Sequence, residues 1–477
     1  MSSELKRKAT HGIFWSCVER FGNQGVSFCF SIFLARILAP KDYGIVAMIN
    51  IFTVIAQTFV ESGFASAIIR KPDLNEYDKS TAFIFNMVVG VACYAILFMA
   101  SSWIADFYDT PILSPIIKVT SIGIVYNALC SVQSALLSKQ VDFKTLMYCS
   151  LSTTVISGIV GVVLAYMGYG VWALVMQGVL GGAFNCVVLW LVSDWRPRTG
   201  FSCESFRYLF GYGSKMLASG LLNNIYNNVY PIVIGKFYSP AQLGFFTRAK
   251  IYADLPSANI TSVLQRVTFP LMSMIQDDEE RLRIDYRRIL CLSAYIVFPL
   301  MIGMAAVARP MIIVMITAKW EPCVVYLQII CVAMMWYPIH AINLNLLQVK
   351  GRSDLFFRLE IIKKVMLTLV MCVTIPIGVL AMCWGMIFTS VMSLIINTYY
   401  TGKLIRVGFI RQMRDLTPVL LASFAMGGMV YVLTLIIPNL YLQLIVGIPA
   451  GVAIYIGISV VFKFPELKEA IGMVRRK

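Results

Sequence analysis

Arg20, Asn23 and Gln24, followed by Ser27 and Ser31, recur at steps of three and four residues and fall on one face of a helix. Arg248, Tyr252, Asn259, Ser262 and Arg266 form a second such stripe, and Lys250, Asp254, Ser257, Thr261 and Gln265 a third. Asn223, Asn224 and Asn227 lead into Pro231 on another apolar helix, and Asn50, Thr53, Gln57 and Glu61 mark one more. A charge near the centre of a bilayer costs at least roughly 2.5–3.5 kcal/mol, so such faces should avoid lipid. Guanidinium, ammonium and amide groups converging in a hydrated cavity would bind an anion through charge-assisted hydrogen bonds. Arg20, Asn23, Gln24, Asn223, Asn224, Asn227, Arg248 and Lys250 are therefore the candidate binding residues. Glu61 and Asp254 are the carboxylates that could host a coupling proton or sodium ion. Blander roles compete. Glu19 and Arg20 could neutralise neighbours, Lys250 and Asp254 are spaced i,i+4 and could neutralise each other, Arg266 and Lys118 could snorkel to the interface, and the amides could join helices.

The elements that carry these residues are apolar helices. Hydrophobic residues make up 59% of 477 and charged residues 13%, enough for fourteen spans of about 20 residues each. The expected spans are 11–37, 43–66, 80–104, 115–138, 146–167, 171–192, 215–235, 244–271, 289–309, 322–345, 355–377, 380–401, 416–437 and 441–462. No alternating strand pattern appears, and backbone exposed to lipid must be helical. With the N-terminus cytoplasmic, 30 of the 40 Lys and Arg fall in the tails, in every second loop or in the span turns beside those loops. Five (Arg36, Lys41, Lys236, Arg309, Lys319) fall at the opposite side, and Arg20, Lys118, Arg248, Lys250 and Arg266 remain inside apolar stretches. Positive residues stay on the cytoplasmic side during insertion, so a multi-pass inner-membrane protein with both termini cytoplasmic is expected. That rule accounts for most of the net charge of +16, and nucleic acid is not an expected partner. The first apolar stretch, reaching Ile37, is too long for a signal peptide and should stay as a helix. Stretch 310–322 is expected to be a shallow surface helix, and 276–288 a solvated helical connector.

The chain repeats itself. Asn23-Gln24 recurs as Asn223-Asn224, and Arg36, Pro40 and Gly44 recur as Lys236, Pro240 and Gly244, an offset of 200 (240 against 40). Later the offset is 212, matching Asp142 with Asp354 and Trp172 with Trp384. Two parallel six-helix lobes around a central cavity are expected, 1–200 and 201–405, with 406–477 holding two extra helices and the tail.

Catalysis has little support. His11 reads as an interfacial residue and His340 as a core histidine; no GxSxG, HExxH or P-loop pattern appears. The twelve Cys lie mostly in apolar stretches, form no CxxC pair and read as small core residues. No enzymatic activity, cofactor or metal is expected. Gly181-Gly182 and Gly427-Gly428 read as close helix packing.

Leu34-Ala35-Arg36-Ile37-Leu38-Ala39-Pro40-Lys41-Asp42-Tyr43-Gly44, then Glu61-Ser62-Gly63 and Ala67-Ile68-Ile69-Arg70, resembles the first hairpin of bacterial polysaccharide flippases of the Wzx type. These belong to the multidrug/oligosaccharidyl-lipid/polysaccharide exporter superfamily. Phe269-Pro270-Leu271-Met272-Ser273 is similar to that family's Pro-x-x-Ser ending. The resemblance implies an all-helical exporter that flips undecaprenyl-pyrophosphate-linked oligosaccharide units across the inner membrane by alternating access. Its partners would be that lipid-linked substrate, membrane lipids, and the pathway's polymerase and glycosyltransferases. Related lipid II flippases place cations of helices 1 and 8 in the lumen and line a lipid-tail groove with helices 13 and 14. The family's helix-8 arginine falls here at Ile251, between Lys250 and Tyr252 and three residues after Arg248. Gly427, Gly428, Gly447, Ala450 and Gly451 would allow close helix approach or leave such a cleft, and peripheral packing of the last two helices is the blander reading. The alternatives are a drug exporter of the same superfamily, which should present acidic and aromatic lumen groups, and a membrane glycan polymerase or ligase, which should have a large outer loop.

Overall fold

The computed structural model describes the backbone of residues 3–61 and 63–475, and the side chains of the same residues except 3–14, 17, 215, 470, 471 and 473–475. The reading of His11 as interfacial and the side chains of Lys6, Arg7, Lys8, Lys215, Arg475, Arg476 and Lys477 lie outside that description.

The described chain is helical throughout, without a strand. Its helices are α1 (Ser3–Ile37), α2 (Pro40–Glu61), α3 (Phe64–Arg70), α4 (Glu76–Phe107), α5 (Leu113–Thr120), α6 (Ile122–Lys139), α7 (Phe143–Tyr166), α8 (Val171–Val192), α9 (Cys203–Asn227) and α10 (Val229–Phe237). Then come α11 (Pro240–Met274), α12 (Glu279–Ala306), α13 (Ala308–Ile316), α14 (Cys323–Met334), α15 (Tyr337–Val349), α16 (Ser353–Thr374), α17 (Val379–Ile405), α18 (Phe409–Ile436), α19 (Leu440–Val461) and α20 (Pro465–Arg475). Ten segments among the described residues are long and apolar enough to cross a membrane. The other four expected spans, in α1, α9–α10, α11 and α16, do not reach that mark. They carry the charged and amide residues that lower their hydropathy, among them Arg20, Asn223, Arg248 and Lys363.

Two compact units divide the chain, Met1–Gly244 and Phe245–Lys477, with the division inside α11. In the first unit, Phe64, Ile68, Val132 and Leu209 form an apolar core joining α3, α6 and α9. Beside it, buried Asp78 caps the turn into α4 by accepting from the Asn75 backbone N–H (3.1 Å), and it pairs with Lys71 (2.6 Å). In the second unit, the Gln412 amide nitrogen lies within reach of Tyr286 (3.2 Å), Asn343 (3.1 Å), Thr401 (3.1 Å) and the Val407 carbonyl (3.0 Å), acceptors that its two N–H groups share, tying α12, α15, α17 and α18 together.

Several expected single spans are broken. Span 43–66 divides at Gly63, which adopts φ 71, and span 215–235 divides at Asn228, three residues before Pro231. Span 322–345 divides between α14 and α15 because Pro338 has no N–H to offer the Met334 carbonyl. Ser257 of α11 donates to that carbonyl instead, at 2.8 Å. Pro299 leaves the Tyr295 carbonyl free in the same way, and the Tyr455 hydroxyl fills it at 3.0 Å. Away from water such carbonyls need protein donors, and both are supplied by a neighbouring helix.

Stretch 310–322 holds most of α13 and a 3₁₀ turn at Ala318–Trp320; Pro310, Ile312, Ile316 and Trp320 form its buried face, and Met311, Ile313, Val314 and Met315 are part-exposed. The expected connector 276–288 supplies the first turns of α12.

Candidate functional site

Within the first unit, α1 lies along α7 and α9 lies along α2. Asn23 donates to the Ser150 hydroxyl at 2.6 Å and accepts from Thr154 at 3.2 Å, so it pins α1 to α7. Asn224 donates to the Thr58 hydroxyl at 2.8 Å and joins α9 to α2. These two candidate binding residues are thus engaged as interhelical contacts. Such bonds contribute roughly 0.6–2 kcal/mol in a bilayer. Gln24 is half-buried, while Arg20, Asn223 and Asn227 remain exposed. Glu61 is exposed on the last turn of α2, beside the bend at Gly63. A Cβ at Gly63 would lie 2.8 Å from the Cα of Gly213, so the bend also admits the backbone of α9. At the other end of α2, neither Gly44 nor Gly244 has room for a Cβ, because each faces the backbone of the proline that starts the other's helix.

Within the second unit, Arg248 is only 4% exposed. Its guanidinium lies over the indole of Trp320, 5.9 Å from the ring centroid. Cation–π contact with a desolvated indole gives a buried cation a partner, so Arg248 does not stand in open water as an accessible lining residue would. Lys250 and Asp254 are half-buried, and one Asp254 carboxylate oxygen has no hydrogen-bond partner. Asp254 lies within electrostatic reach of both Lys250 and Tyr337, the first residue of α15. The break between α14 and α15 therefore has a carboxylate, an ammonium group and a phenol nearby, with Ser257 one turn further along α11.

An apolar cleft of about 400 Å³ opens between α12, α13, α18 and α19. Pro299, Gly303, Val307, Met426, Gly447 and Gly451 line it, together with further apolar residues. Glycines let its walls approach closely. A Cβ at Gly451 would meet Val430 at 3.1 Å and Met426 at 3.4 Å, and the nearest atoms to one at Gly447 are 3.7 Å away. Gly427 packs instead against Ile302, and Gly428 has nothing within 4 Å. Tyr455 lines the cleft, and its hydroxyl donates to the Tyr295 carbonyl at 3.0 Å. Between Asp415 and Lys463 there is no charged residue, so neither α19 nor the part of α18 at the cleft can bind an anion by ion pairing.

Sequence reasoning missed one buried residue and read another correctly. Gln412 sits among Arg411, Arg414 and Asp415 and read as loop, whereas it is fully buried. The only sequence cue was an uncharged amide in a basic stretch. His340 contacts the Ser390 hydroxyl at 3.1 Å and Asn397 at 3.5 Å, which agrees with a satisfied core histidine.

The chain matches the polysaccharide biosynthesis protein family over residues 33–325. It is 25% identical over 365 residues to the lipopolysaccharide biosynthesis protein WzxC of Escherichia coli (strain K12), covering 75% of this chain and 73% of that protein. Its fold is similar to the lipid II flippase MurJ in an inward closed conformation, with a TM-score of 0.78 and 15% identity, over 94% of this chain and 98% of that one. It is also similar to a multidrug resistance MATE family transporter of the MOP superfamily in an inward-facing conformation. There the TM-score is 0.62 and the identity 13%, over 80% of this chain and 96% of that one. At these identities the two solved structures speak to the fold.

Proposed function

Because the chain belongs to the polysaccharide biosynthesis protein family, we propose that this membrane transporter flips a polyprenyl-pyrophosphate-linked oligosaccharide from the cytoplasmic to the periplasmic leaflet by alternating access. All fourteen expected spans cross the membrane in this reading, both termini are cytoplasmic, and 1–200 and 201–405 act as lobes with 406–477 appended. The pathway's polymerase and glycosyltransferases supply and consume the lipid-linked unit. The observation that carries the reading is the cleft of about 400 Å³ at Gly447 and Gly451. A polar headgroup that crosses a bilayer while attached to a long branched hydrocarbon needs an uncharged track for the tail. The cleft has that chemistry, and α18 and α19 carry no charge along it. Arg20, on the exposed face of α1, offers a guanidinium to the pyrophosphate, with Asn223 and Asn227 as further donors. Arg248 contributes a buried positive field rather than a free fork. Glu61 and Asp254 are the proposed coupling-ion carboxylates. Outward movement of negative charge is favoured by roughly 2.3 kcal/mol per charge per 100 mV, negative inside.

The test is genetic. A strain lacking this protein should accumulate the lipid-linked unit on the cytoplasmic leaflet, and wild-type protein should relieve that accumulation. Unchanged periplasmic delivery in the deletion strain would contradict the reading.

A further inference from the structure

A second cavity, of about 930 Å³, lies where the end of α17 turns through residues 406–408 into α18. It is separate from the apolar cleft, and its chemistry is different. Lys403, Arg411 and Arg414 line it, and all three are exposed. Arg287 also lines it, but its guanidinium is forked onto Asp415 at 2.7 and 2.6 Å, so that pair is neutral. Among the described residues neither Arg411 nor Arg414 forms an ion pair, and Lys403 rests 4.6 Å from the centroid of the Tyr399 ring. The cavity therefore carries three positive charges that no carboxylate offsets.

Two further observations narrow the ligand. Phe409, Ile410 and Arg411 line the cavity as the first residues of α18, whose N-cap Gly408 offers no side chain and whose first turn holds no acid. The free N–H groups of a long helix start favour an anion there. The rim is apolar and open: Ile395, Tyr399 and Ile410 are 38, 56 and 84% exposed. Unpartnered cations beside exposed Ile and Tyr side chains suit a ligand with a charged head and a hydrocarbon body. A free inorganic anion would gain nothing from the rim. Basic pockets between helices at a membrane edge are suited to anionic lipid headgroups.

We propose that this cavity binds the phosphodiester headgroup of an anionic membrane lipid. Arg411, Arg414 and Lys403 hold the phosphate, and the acyl chains run along Ile395 and Tyr399 of α17. This site does not depend on the transport reading.

The experiment uses the purified full-length protein in detergent. Dioctanoyl phosphatidylglycerol is titrated, with dioctanoyl phosphatidylcholine and sodium phosphate as controls, and binding is read by native mass spectrometry. The wild type should bind phosphatidylglycerol at least tenfold more tightly than either control. Each removed charge should weaken binding about fivefold, so that the combined K403Q, R411Q and R414Q variant loses about a hundredfold. A paired R281Q and R283Q variant, on the first turns of α12, should bind as wild type does. If the triple variant does not fold, the single R411Q and R414Q variants give the same reading. Equal affinity for phosphatidylglycerol and phosphatidylcholine overturns the proposal. So does inorganic phosphate binding as tightly as phosphatidylglycerol, or unchanged affinity in the Gln variants.

Discussion

Gly44 and Gly244 pack reciprocally: the first against the backbone of Pro240, the second against the backbone of Pro40. The two prolines open α2 and α11, and the two glycines lie one turn further along. A side chain at either glycine meets backbone, which cannot rotate away. Gly44→Val should force the α2 and α11 starts apart. A single cysteine at position 239, in a Cys-free background, should then react with a membrane-impermeant maleimide several-fold faster than without the substitution. An unchanged labelling rate would show that the two starts separate freely in the wild type.

Asn23 and Arg20 are one turn apart on α1, yet they should fail in different ways. Asn23→Leu removes the bonds to Ser150 and Thr154 and should lower stability by roughly 0.6–2 kcal/mol. Arg20→Ala should lower stability less than Asn23→Leu does, because the side chain is exposed, while cutting export. The lost charged contact should cost roughly 1.5–3 kcal/mol of substrate affinity. Denaturant unfolding in mixed micelles, run beside an export assay, separates the two. Equal stability losses in both variants would return Arg20 to a packing role.

The contrast between these neighbours also marks what the sequence could say. Helical periodicity placed Arg20, Asn23 and Gln24 on one face, and the positive-inside pattern made the chain a helical membrane protein. Periodicity cannot tell which neighbour that face meets. Asn23 met α7, and Asn224 met α2. Arg248 was legible as an intramembrane cation, but its cover, Trp320, comes from a turn 72 residues later (320 against 248) that read as a surface element. The breaks at Gly63 and between α14 and α15 had local signals in Gly63 and Pro338. Gln412 had almost none, because the burial that gives it meaning is supplied by Tyr286, Asn343 and Thr401 from other helices.

Gln412→Ala should be among the costlier single substitutions in the second unit. It removes the two N–H groups that Asn343, Thr401, Tyr286 and the Val407 carbonyl share, and the oxygen that accepts from Asn343. Each unsatisfied buried group costs roughly 1–3 kcal/mol, and partial rearrangement within the network should hold the total to about 2–4 kcal/mol. Thermal unfolding of the purified protein checks this; a loss below about 0.5 kcal/mol would mean that water replaces the amide.

The apolar cleft separates two glycine substitutions that composition alone would treat alike. Gly451→Trp presses on Val430 and Met426 at the wall of the cleft, whereas Gly428→Trp enters a direction with nothing within 4 Å. A photoreactive polyprenyl phosphate should crosslink to α18 and α19 in the wild type and in Gly428→Trp, and much less in Gly451→Trp. Equal crosslinking in all three would place the tail elsewhere.

Transbilayer movement of the lipid-linked glycan itself is the most direct measure of the proposed function. Purified protein is reconstituted into sealed vesicles whose inner leaflet carries a lipid-linked oligosaccharide, and exposure of the glycan to an external glycosidase is followed with time. Wild-type vesicles should expose the glycan many times faster than protein-free vesicles, and Arg20→Ala and Gly451→Trp should fall towards the protein-free rate. Exposure by the wild type at the protein-free rate, at any imposed ion gradient, would contradict the account.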